Sequence, residues 1–266
     1  LSRHLPDKRL LKLIGRYLRA GVIIDEVLHP TSEGVPQGGP LSPLLANVML
    51  DDFDKHLEAR QMRFARYADD CNIYVKSERA GQHAMAAMID YLEKKLKLRV
   101  NRDKSAVARP WHRKFLGYSV TGHKQARLKI ADSSLKRLKD KVREIVVGNA
   151  SRNLDQTIAA LNPVLRGWTA YFRLTEVEGV LRDLDGWIRR KLRCLLWRQW
   201  QRPATRNQRL QARGLDGTRA WASASNGRGP WWNAGASHMN AAYPKRLFDA
   251  LGLVSLLDTQ RRFQHV

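Results

Sequence analysis

Cysteine and long apolar runs are both scarce in this chain of 266 residues, and each scarcity excludes a class of protein. The two cysteines, Cys71 and Cys194, lie far apart and flank no CxxC pair, so neither a zinc site nor a disulfide framework is supported. No run of about 18 apolar residues occurs, which argues against a membrane-spanning helix. The opening residues hold no apolar signal core, and we expect a reducing cytoplasm as the compartment.

Acidic residues are also in short supply, with 25 Asp and Glu against 48 Lys and Arg, which gives a formal net charge of +23. Such an excess predicts a polyanionic partner. The basic residues are spread along the chain among eight Trp, whereas a membrane anchor would show one short basic amphipathic segment or a polybasic tail. The composition therefore favours nucleic acid over a membrane surface.

Hydrophobic periodicity changes near residue 125. Before it, the apolar spacing predicts helices over 6–20, 41–57 and 80–98, hairpins over 63–76 and 105–120, and a short strand or hairpin over 22–30. Ser42 is the expected N-cap of the second helix, with Pro43 at its first position. After residue 125, the pattern predicts three basic helices over 133–147, 154–174 and 177–200, followed from Pro203 by an irregular tail. The third helix carries an apolar stripe at helical spacing, formed by Val177, Leu181, Leu184, Ile188, Leu192 and Leu195.

Two adjacent aspartates, Asp69 and Asp70, interrupt the apolar and aromatic run RYADDCNIYV. A solvated hairpin turn is enough to explain them, since Asp is depleted in strands. Neighbouring carboxylates at a hairpin tip can also bind Mg²⁺, and two-metal phosphoryl transfer needs carboxylates clustered in this way. Tyr67 before the pair, and flanking strands apolar enough to be buried in a sheet, favour the metal site over the plain turn.

A Gly- and Pro-rich segment, EGVPQGGPLSP, precedes the second helix. Its residues predict a stiff loop whose backbone can approach a bound base or sugar closely. The helix that follows offers an N-terminus, which favours anions. Taken alone, such a loop is equally typical of a tight connector.

Together, GVPQGGPLSPLLAN and the later YADD closely resemble the group II intron reverse transcriptases and their bacterial relatives. The segment VNRDKSAVARP resembles the next palm motif of that family, with Asn101 and Lys104 at matching positions. KFLGYSV is similar to its primer-grip hairpin, and LNPVLRGWTAYFRL with the long basic helix after it resembles its maturase-specific region. The resemblance covers nearly the whole chain to about Gly214.

The resemblance implies an α+β fold: a right-hand polymerase palm with a ferredoxin-like sheet over 1–125, a helical thumb and maturase domain over 126–214, and an irregular extension over 215–266. It implies RNA-templated extension of a DNA primer with dNTPs, on intron or template RNA. Two Mg²⁺ ions are expected, with Asp69 as a ligand and Asp70 as a supporting ligand or charge.

The same resemblance assigns substrate contacts by position. Tyr67 and Ala68 would lie under the primer terminus, and Lys104 would face the triphosphate, with a solvated turn lysine as the alternative. The loop residues expected against the templating pair and the dNTP are Pro36, Gln37 and Gly38. The residues expected to position the primer strand, in what could equally be a plain hydrophobic hairpin, are Phe115, Leu116 and Gly117.

The third basic helix carries more cations than an ordinary solvated helix. Phosphate contacts to intron RNA or to the template–primer duplex are the better explanation. The residues concerned are Arg182, Arg189, Arg190, Lys191, Arg193 and Arg198. Trp168 and Phe172 lie four apart on a helix and are expected in the core. Trp231 and Trp232 have two open interpretations, base stacking or burial.

One family motif, an upstream strand that supplies a second metal-binding aspartate, has no counterpart here. The acids before Gly34 lie at a helix start or beside the loop: Asp7, Asp25, Glu26 and Glu33. We therefore expect a fragment that lacks the fingers and the first palm motif, with the missing part before Leu1. Two alternatives to an active polymerase stay open: a catalytically inactive RNA-binding maturase, and a truncated remnant that folds poorly. The sequence carries no signal for an oligomeric state.

Overall fold

Helices and short antiparallel hairpins make up the computed structural model, which describes residues 6–24, 27–29, 41–148 and 153–264. The chain divides into two compact units, residues 1–108 and 109–266. The elements of the first unit are α1 (Lys8–Arg19), β1 (Val22–Ile24), β2 (Val27–His29), α2 (Ser42–Ala59), β3 (Arg63–Tyr67), β4 (Asp70–Tyr74) and α3 (Glu78–Asp90). The last turn of α3 widens into a π-helical turn, Tyr91–Lys95.

Helix boundaries in the first unit follow the capping chemistry. The Asp7 carboxylate accepts hydrogen bonds from the amides of Arg9 and Leu10, and so begins α1. Gly21, with φ +76°, turns the chain after it. The predicted cap of α2 is wrong by one residue: Leu41 is the N-cap, and Ser42 is already helical.

The core of the first unit is small. It contains buried Phe53 and Leu57 from α2 and Met88 from α3, with half-buried Phe64 and Ile73 of the β3–β4 hairpin packed against them. The hairpin register pairs Arg63 with Tyr74 and Tyr67 with Asp70. This packing sets the hairpin on two helices and leaves its turn at the surface.

The second unit begins with a 3₁₀ turn, Pro110–His112, and a hairpin, and continues as helices. Its elements are β5 (Tyr118–Val120), β6 (Leu128–Ile130), α4 (Asp132–Gly148), α5 (Leu154–Tyr171), α6 (Gly179–Gln199), α7 (Pro203–Gln211), α8 (Gly217–Ala224), α9 (Pro230–Gly235), α10 (Ser237–Ala242), α11 (Lys245–Ala250) and α12 (Leu256–Gln264).

Helix α6 lies at the centre of the second unit. The predicted apolar stripe is confirmed from Leu181 onward, since Leu181, Leu184 and Ile188 are buried together with Leu192 and Leu195. Phe172 is also buried and contacts half-buried Trp168, with ring centroids 4.7 Å apart, which confirms that pair as core. A helix with a continuous buried stripe, packed against several others, organises the unit around itself.

The strands form a simpler arrangement than the palm sheet expected from the resemblance. Those that the structure describes pair only within three separate two-stranded antiparallel sheets, β1–β2, β3–β4 and β5–β6. The α+β class therefore holds, whereas the ferredoxin-like sheet stays a prediction.

The predicted partner of KFLGYSV is wrong. Strand β5 pairs with β6, in the register Tyr118 to Ile130, and not with residues 105–110. Burial explains the choice: Ile130 enters the core of the second unit, whereas Val107 belongs to the first unit, where its Cγ1 would lie 2.5 Å from a Cβ placed on Gly81.

The irregular extension predicted after Pro203 is also wrong in its local structure, because α7 to α12 occupy most of residues 203–264. Gly, Asn and Ser lower helix propensity, but tertiary contacts stabilise these short helices. Small side chains let them approach closely, as fully buried Ala220, Ala224 and Ala234 show. Within the described ranges, no helix combines the length and apolar character needed to cross a membrane.

Candidate catalytic hairpin and nucleic-acid surface

The turn between β3 and β4 carries the aspartate pair. Ala68 and Asp69 are its two loop residues, between paired Tyr67 and Asp70. Ala68 has φ +52°, in the left-handed region where a side chain is strained. Asp69 and Asp70 are exposed, and Tyr67 is 64% exposed. The predicted strand, turn and strand are confirmed, but the hairpin is half-buried on two helices and pairs with no further strand among the described residues.

Arg66 of β3 fixes the conformation of this turn through hydrogen bonds. The sequence analysis did not identify Arg66 as a site residue. Its Nε and one terminal nitrogen donate to the Asp54 carboxylate of α2 at 2.5 to 3.0 Å. Its other terminal nitrogen donates to the Asn47 side-chain oxygen at 3.0 Å and to the Ala68 carbonyl at 2.8 Å. The hydrogen bond to Asp54 raises the pKa of Arg66. One guanidinium thereby ties α2 to the strained turn residue.

The donor set at the tip fits magnesium. The side-chain carboxylates of Asp69 and Asp70 form no hydrogen bond or ion pair with the described residues, and the described residues hold no group of three His, Cys, Asp or Glu suited to a metal. Mg²⁺ uses one or two carboxylates and keeps waters for a substrate phosphate, so two exposed carboxylates match its needs.

Cys71 follows the pair but takes no part in such chemistry. Burial raises the pKa of its thiol to about 11, with a smaller contribution from the Asp54 charge. The thiol is therefore protonated near neutral pH, and a protonated thiol is neither a nucleophile nor a metal ligand.

The remaining predicted substrate residues have separate outcomes. Pro36, Gln37 and Gly38 lie outside the described residues. Lys104 is exposed in a turn that Asn101 organises, with the Asn101 side-chain oxygen accepting from the Lys104 amide at 3.1 Å. This position is compatible with both interpretations of Lys104, and its role stays a prediction.

The proposed primer-grip residues form a tight turn in the second unit. Leu116 and Gly117 both have positive φ, and Phe115 pairs with Tyr118 across them. The Tyr171 hydroxyl of α5 donates to the Leu116 carbonyl at 3.0 Å, and the Tyr118 hydroxyl donates to the Tyr171 carbonyl at 2.7 Å. The turn is thus held against the end of α5, which fixes its position but does not test contact with a primer.

The basic helix α6 presents its cations in several directions. Arg182 and Arg198 are exposed, while Arg190 and Lys191 lie against Trp231. Arg189 is half-buried. Five of the six predicted phosphate-binding residues are therefore exposed or partly exposed: Arg182, Arg189, Arg190, Lys191 and Arg198.

Arg193 corrects the prediction. It is 7% exposed, lies 5.6 Å over the Phe248 ring, and its Nε donates to the Tyr243 carbonyl at 2.9 Å. Burial lowers the pKa of Arg193 to about 10. Its guanidinium joins α6 to the C-terminal helices, and so it is not available to an RNA phosphate in this structure.

Comparison with known proteins matches two successive regions of the chain, and the first extends past the boundary of the first unit at residue 108. Residues 4–120 match the family described as reverse transcriptase (RNA-dependent DNA polymerase). Residues 135–214 match the family described as group II intron, maturase-specific domain.

Individual relatives are similar over shorter stretches. Protein YkfC of Escherichia coli (strain K12) is 32% identical over 141 residues, covering 40% of this chain and 37% of that protein. The group II intron-encoded protein LtrA of Lactococcus lactis subsp. cremoris is 42% identical over 66 residues, covering 25% of this chain and 11% of that protein. The putative COX1/OXI3 intron 2 protein of Saccharomyces cerevisiae (strain ATCC 204508 / S288c) is 41% identical over 59 residues, covering 22% and 7%. The chain thus spans less than two fifths of each of these relatives.

The matched regions define a reverse transcriptase region that is followed in the chain by a helical, basic maturase-specific domain. The chain belongs to the group II intron-encoded reverse transcriptases and maturases.

Proposed function

We propose that this chain is part of an RNA-directed DNA polymerase of a group II intron, with RNA-binding maturase activity in intron splicing and mobility. Its substrates would be template RNA, a DNA primer and dNTPs, in the cytoplasm. Residues 1–125 would be the palm and 126–214 the thumb and maturase domain. The observation that carries the proposal is the exposed aspartate pair on a clamped hairpin, within a region matched to reverse transcriptases.

Asp69 and Asp70 are the residues that would hold magnesium. When bound, the metal supplies Lewis-acid stabilisation of the charge that develops on the transferred phosphate. Arg66 keeps the turn geometry fixed, because it binds the Ala68 carbonyl and is itself held by two residues of α2. A carboxylate that is positioned before the substrate arrives needs no reorganisation during the reaction.

Neighbouring residues would orient the primer and the nucleotide. The exposed ring of Tyr67 lies directly before the turn and offers an aromatic surface for the primer terminus. Lys104, exposed in its turn, would provide a cation for the triphosphate. The other contacts proposed on the resemblance are Ala68, Pro36, Gln37, Gly38, Phe115, Leu116 and Gly117.

Primer extension on an RNA template with dNTPs and Mg²⁺ tests the proposal. We expect the chain to extend the primer and Asp69→Asn to lose the activity by orders of magnitude, because several kcal/mol of charge stabilisation depend on that carboxylate. Asp52→Asn, at an exposed acid of α2, is the matched control and should extend normally. Equal extension by the wild type and Asp69→Asn would contradict the proposed role of Asp69.

A second candidate function is that of a non-catalytic RNA-binding maturase. It is favoured because the described residues hold no group of three metal-ligating side chains, whereas residues 135–214 match the maturase-specific domain. It predicts no extension by the wild type, and RNA affinity that survives Asp69→Asn and Asp70→Asn and falls steeply with salt. The poorly folded remnant would instead show no cooperative transition in a thermal melt followed by circular dichroism.

A further inference from the structure

Cations and indole rings alternate across three helices of the second unit. The Trp187 ring of α6 has the Arg143 guanidinium of α4 5.4 Å from its centroid and the Lys191 ammonium 5.5 Å away. The same ammonium lies 4.7 Å from the Trp231 centroid of α9, and the Arg190 guanidinium lies 4.1 Å from it. We call Arg143, Trp187, Lys191, Trp231 and Arg190 the cation–indole ladder.

The ladder is held in place by backbone contacts. Arg190 donates two hydrogen bonds to the Trp231 carbonyl, at 2.9 and 3.2 Å. A Cβ added to Gly235, at the end of α9, would lie 2.7 Å from the Arg190 guanidinium, so the guanidinium occupies a fixed slot. Trp231 nevertheless stays 38% exposed and keeps part of its ring available to a partner.

A cleft of about 230 Å³ adjoins the ladder between α4 and α6. Arg143, Lys191 and Arg198 line it, beside apolar Val147 and Leu195. Arg143 is paired with Asp140 at 2.5 Å, but Lys191 and Arg198 form no ion pair within the described ranges. Burial, and then the charges of Arg143 and Arg198, lower the pKa of Lys191. Two like charges that have no acidic partner, Lys191 and Arg198, repel each other in this cleft, and a bound anion would relieve their repulsion.

The combination of features selects the chemistry of the partner. Phosphodiesters neutralise the cleft cations, and bases stack on an exposed indole in a way that tolerates any sequence. A duplex hides its base faces, and an acidic peptide has no bases, so each would use only the cations.

We infer that the cation–indole ladder and its cleft bind a single-stranded stretch of nucleic acid, with a base on Trp231 and phosphates at Lys191 and Arg198. The inference rests on the proposed RNA binding and extends it to α9, which lies beyond residues 135–214 of the matched maturase domain. It also separates Lys191, Arg190 and Arg198 from Arg193 within the predicted basic set.

Fluorescence anisotropy with the full chain tests the stacking contact. The probes are a labelled RNA strand of about 12 nucleotides, the DNA strand of the same sequence, and the RNA duplex. We expect Trp231→Ala to weaken single-strand binding about tenfold and to leave duplex binding nearly unchanged. Trp221→Ala, at an indole that is 53% exposed and outside the ladder, is the matched control. The two single strands show whether RNA or DNA is preferred.

Two further variants test the cations. The salt dependence is the slope of the logarithm of the binding constant against the logarithm of the salt concentration, measured between about 50 and about 200 mM salt. Arg198→Gln should lower the steepness of this slope by about one released counterion. Arg209→Gln, an exposed arginine of α7, is its control and should lower it less. Gly235→Ala removes no charge and no ring but displaces Arg190, and we expect an affinity between those of the wild type and Trp231→Ala.

The outcomes separate this inference from the proposed function. One outcome is that the wild type binds the duplex and the single strands while Trp231→Ala and Arg198→Gln bind each probe with wild-type affinity. In that case the inference fails while RNA binding stands. Equal losses on duplex and single strand also overturn the stacking role. If the wild type binds no probe, both fail. A thermal melt checks folding; if Trp231→Ala melts early, Trp231→Phe and Arg198→Gln replace it as the deciding variants.

Discussion

The two units place their polar and apolar groups very differently. In the first, Phe53, Leu57 and Met88 form the buried centre among the described residues, and the aspartate hairpin lies on this thin support. In the second, a far larger cluster surrounds α6 and includes buried Trp197 and Phe248. Because apolar burial supplies about 25 cal/mol per Å², we expect the larger cluster to contribute more stability than the smaller one among the described residues.

Polar groups away from full solvent exposure, partly buried in the first unit and buried in the second, show the same contrast. In the first unit, Arg66 and Asp54 pair beneath the turn and position it. In the second, buried Asp185 of α6 accepts from the Ser255 hydroxyl and from the amides of Leu256 and Leu257, at 2.9 to 3.2 Å. The comparison indicates that polar contacts in the first unit shape a site, whereas those in the second join the C-terminal helices to the core.

The largest expected difference comes from matched leucine truncations. Leu192 and Leu57 are both fully buried. We expect Leu192→Ala to lower the free energy of unfolding by about 4–5 kcal/mol and Leu57→Ala by about 2–3 kcal/mol, because a thin core collapses around the cavity more easily. Hydrogen exchange resolved by region measures both, with exposed Leu44→Ala as the control. A larger loss of unfolding free energy from Leu57→Ala than from Leu192→Ala would show that the first unit has the less adaptable core.

The next effect concerns the clamp beneath the turn. Arg66→Met leaves the Asp54 carboxylate, 24% exposed, without its partner, and should lower the free energy of unfolding of the first unit by about 2–3 kcal/mol. Primer extension should also fall, while RNA affinity changes little. Arg63→Met, at the exposed end of β3, is the control. If a folded Arg66→Met variant extends the primer as the wild type does, Arg66 has no role in positioning the catalytic turn.

A smaller effect is expected where α12 meets α6. Asp185→Ala leaves the Leu256 and Leu257 amides without their acceptor, and should cost about 2 kcal/mol. Hydrogen exchange should speed up first in α12. Asp183→Ala, at an exposed acid of the same helix, should leave the exchange of α12 unchanged. Uniform loss of protection across the second unit would show that Asp185 supports the whole core.

The smallest predicted effect is a pH dependence. Burial, and then the charge of Arg219, lower the pKa of His238 below its usual value of about 6.5. The folded state therefore disfavours the proton, so stability is full above about pH 6.5 and is lost as the pH falls below it. We expect the melting temperature of the second unit to fall by a few degrees between about pH 7.5 and about pH 5.5.

His238→Gln should reduce this fall, and His123→Gln, at an exposed turn, should not. Burial also lowers the pKa of His56, which stacks on Tyr91 with ring centroids 3.8 Å apart in the first unit. His56 is less buried than His238, so the first unit should show the weaker pH dependence. An equal fall in the melting temperature of both units between these pH values would contradict the expected difference between them.

Local sequence predicted those elements whose signals repeat along one segment. The stripe from Leu181 to Leu195 recurs over several helical turns, and α6 forms as the period requires. The turn at Asp69 was predictable because acids are depleted in strands and β-forming residues lie on both sides. Trp168 and Phe172 were predictable as core because residues four apart share a helix face.

Other features depend on partners that are distant in sequence. Strand β5 pairs with β6, where Ile130 is buried in the core of the second unit. No sequence pattern near Tyr118 indicates this pairing partner. Arg66 reads as an ordinary basic residue until Asp54 and the Ala68 carbonyl are brought to it. Arg193 reads as part of a basic face until the Tyr243 carbonyl takes its hydrogen bond.

By itself, then, the sequence determined a basic chain with a reverse transcriptase motif order, an aspartate turn and a long amphipathic helix. The tertiary structure decided which cations face solvent, which strands pair, and that residues after Pro203 fold as helices. The physical reason is the range of the forces involved. Turn and helix signals act over a few residues, whereas burial and hydrogen-bond satisfaction depend on groups that only the folded chain brings together.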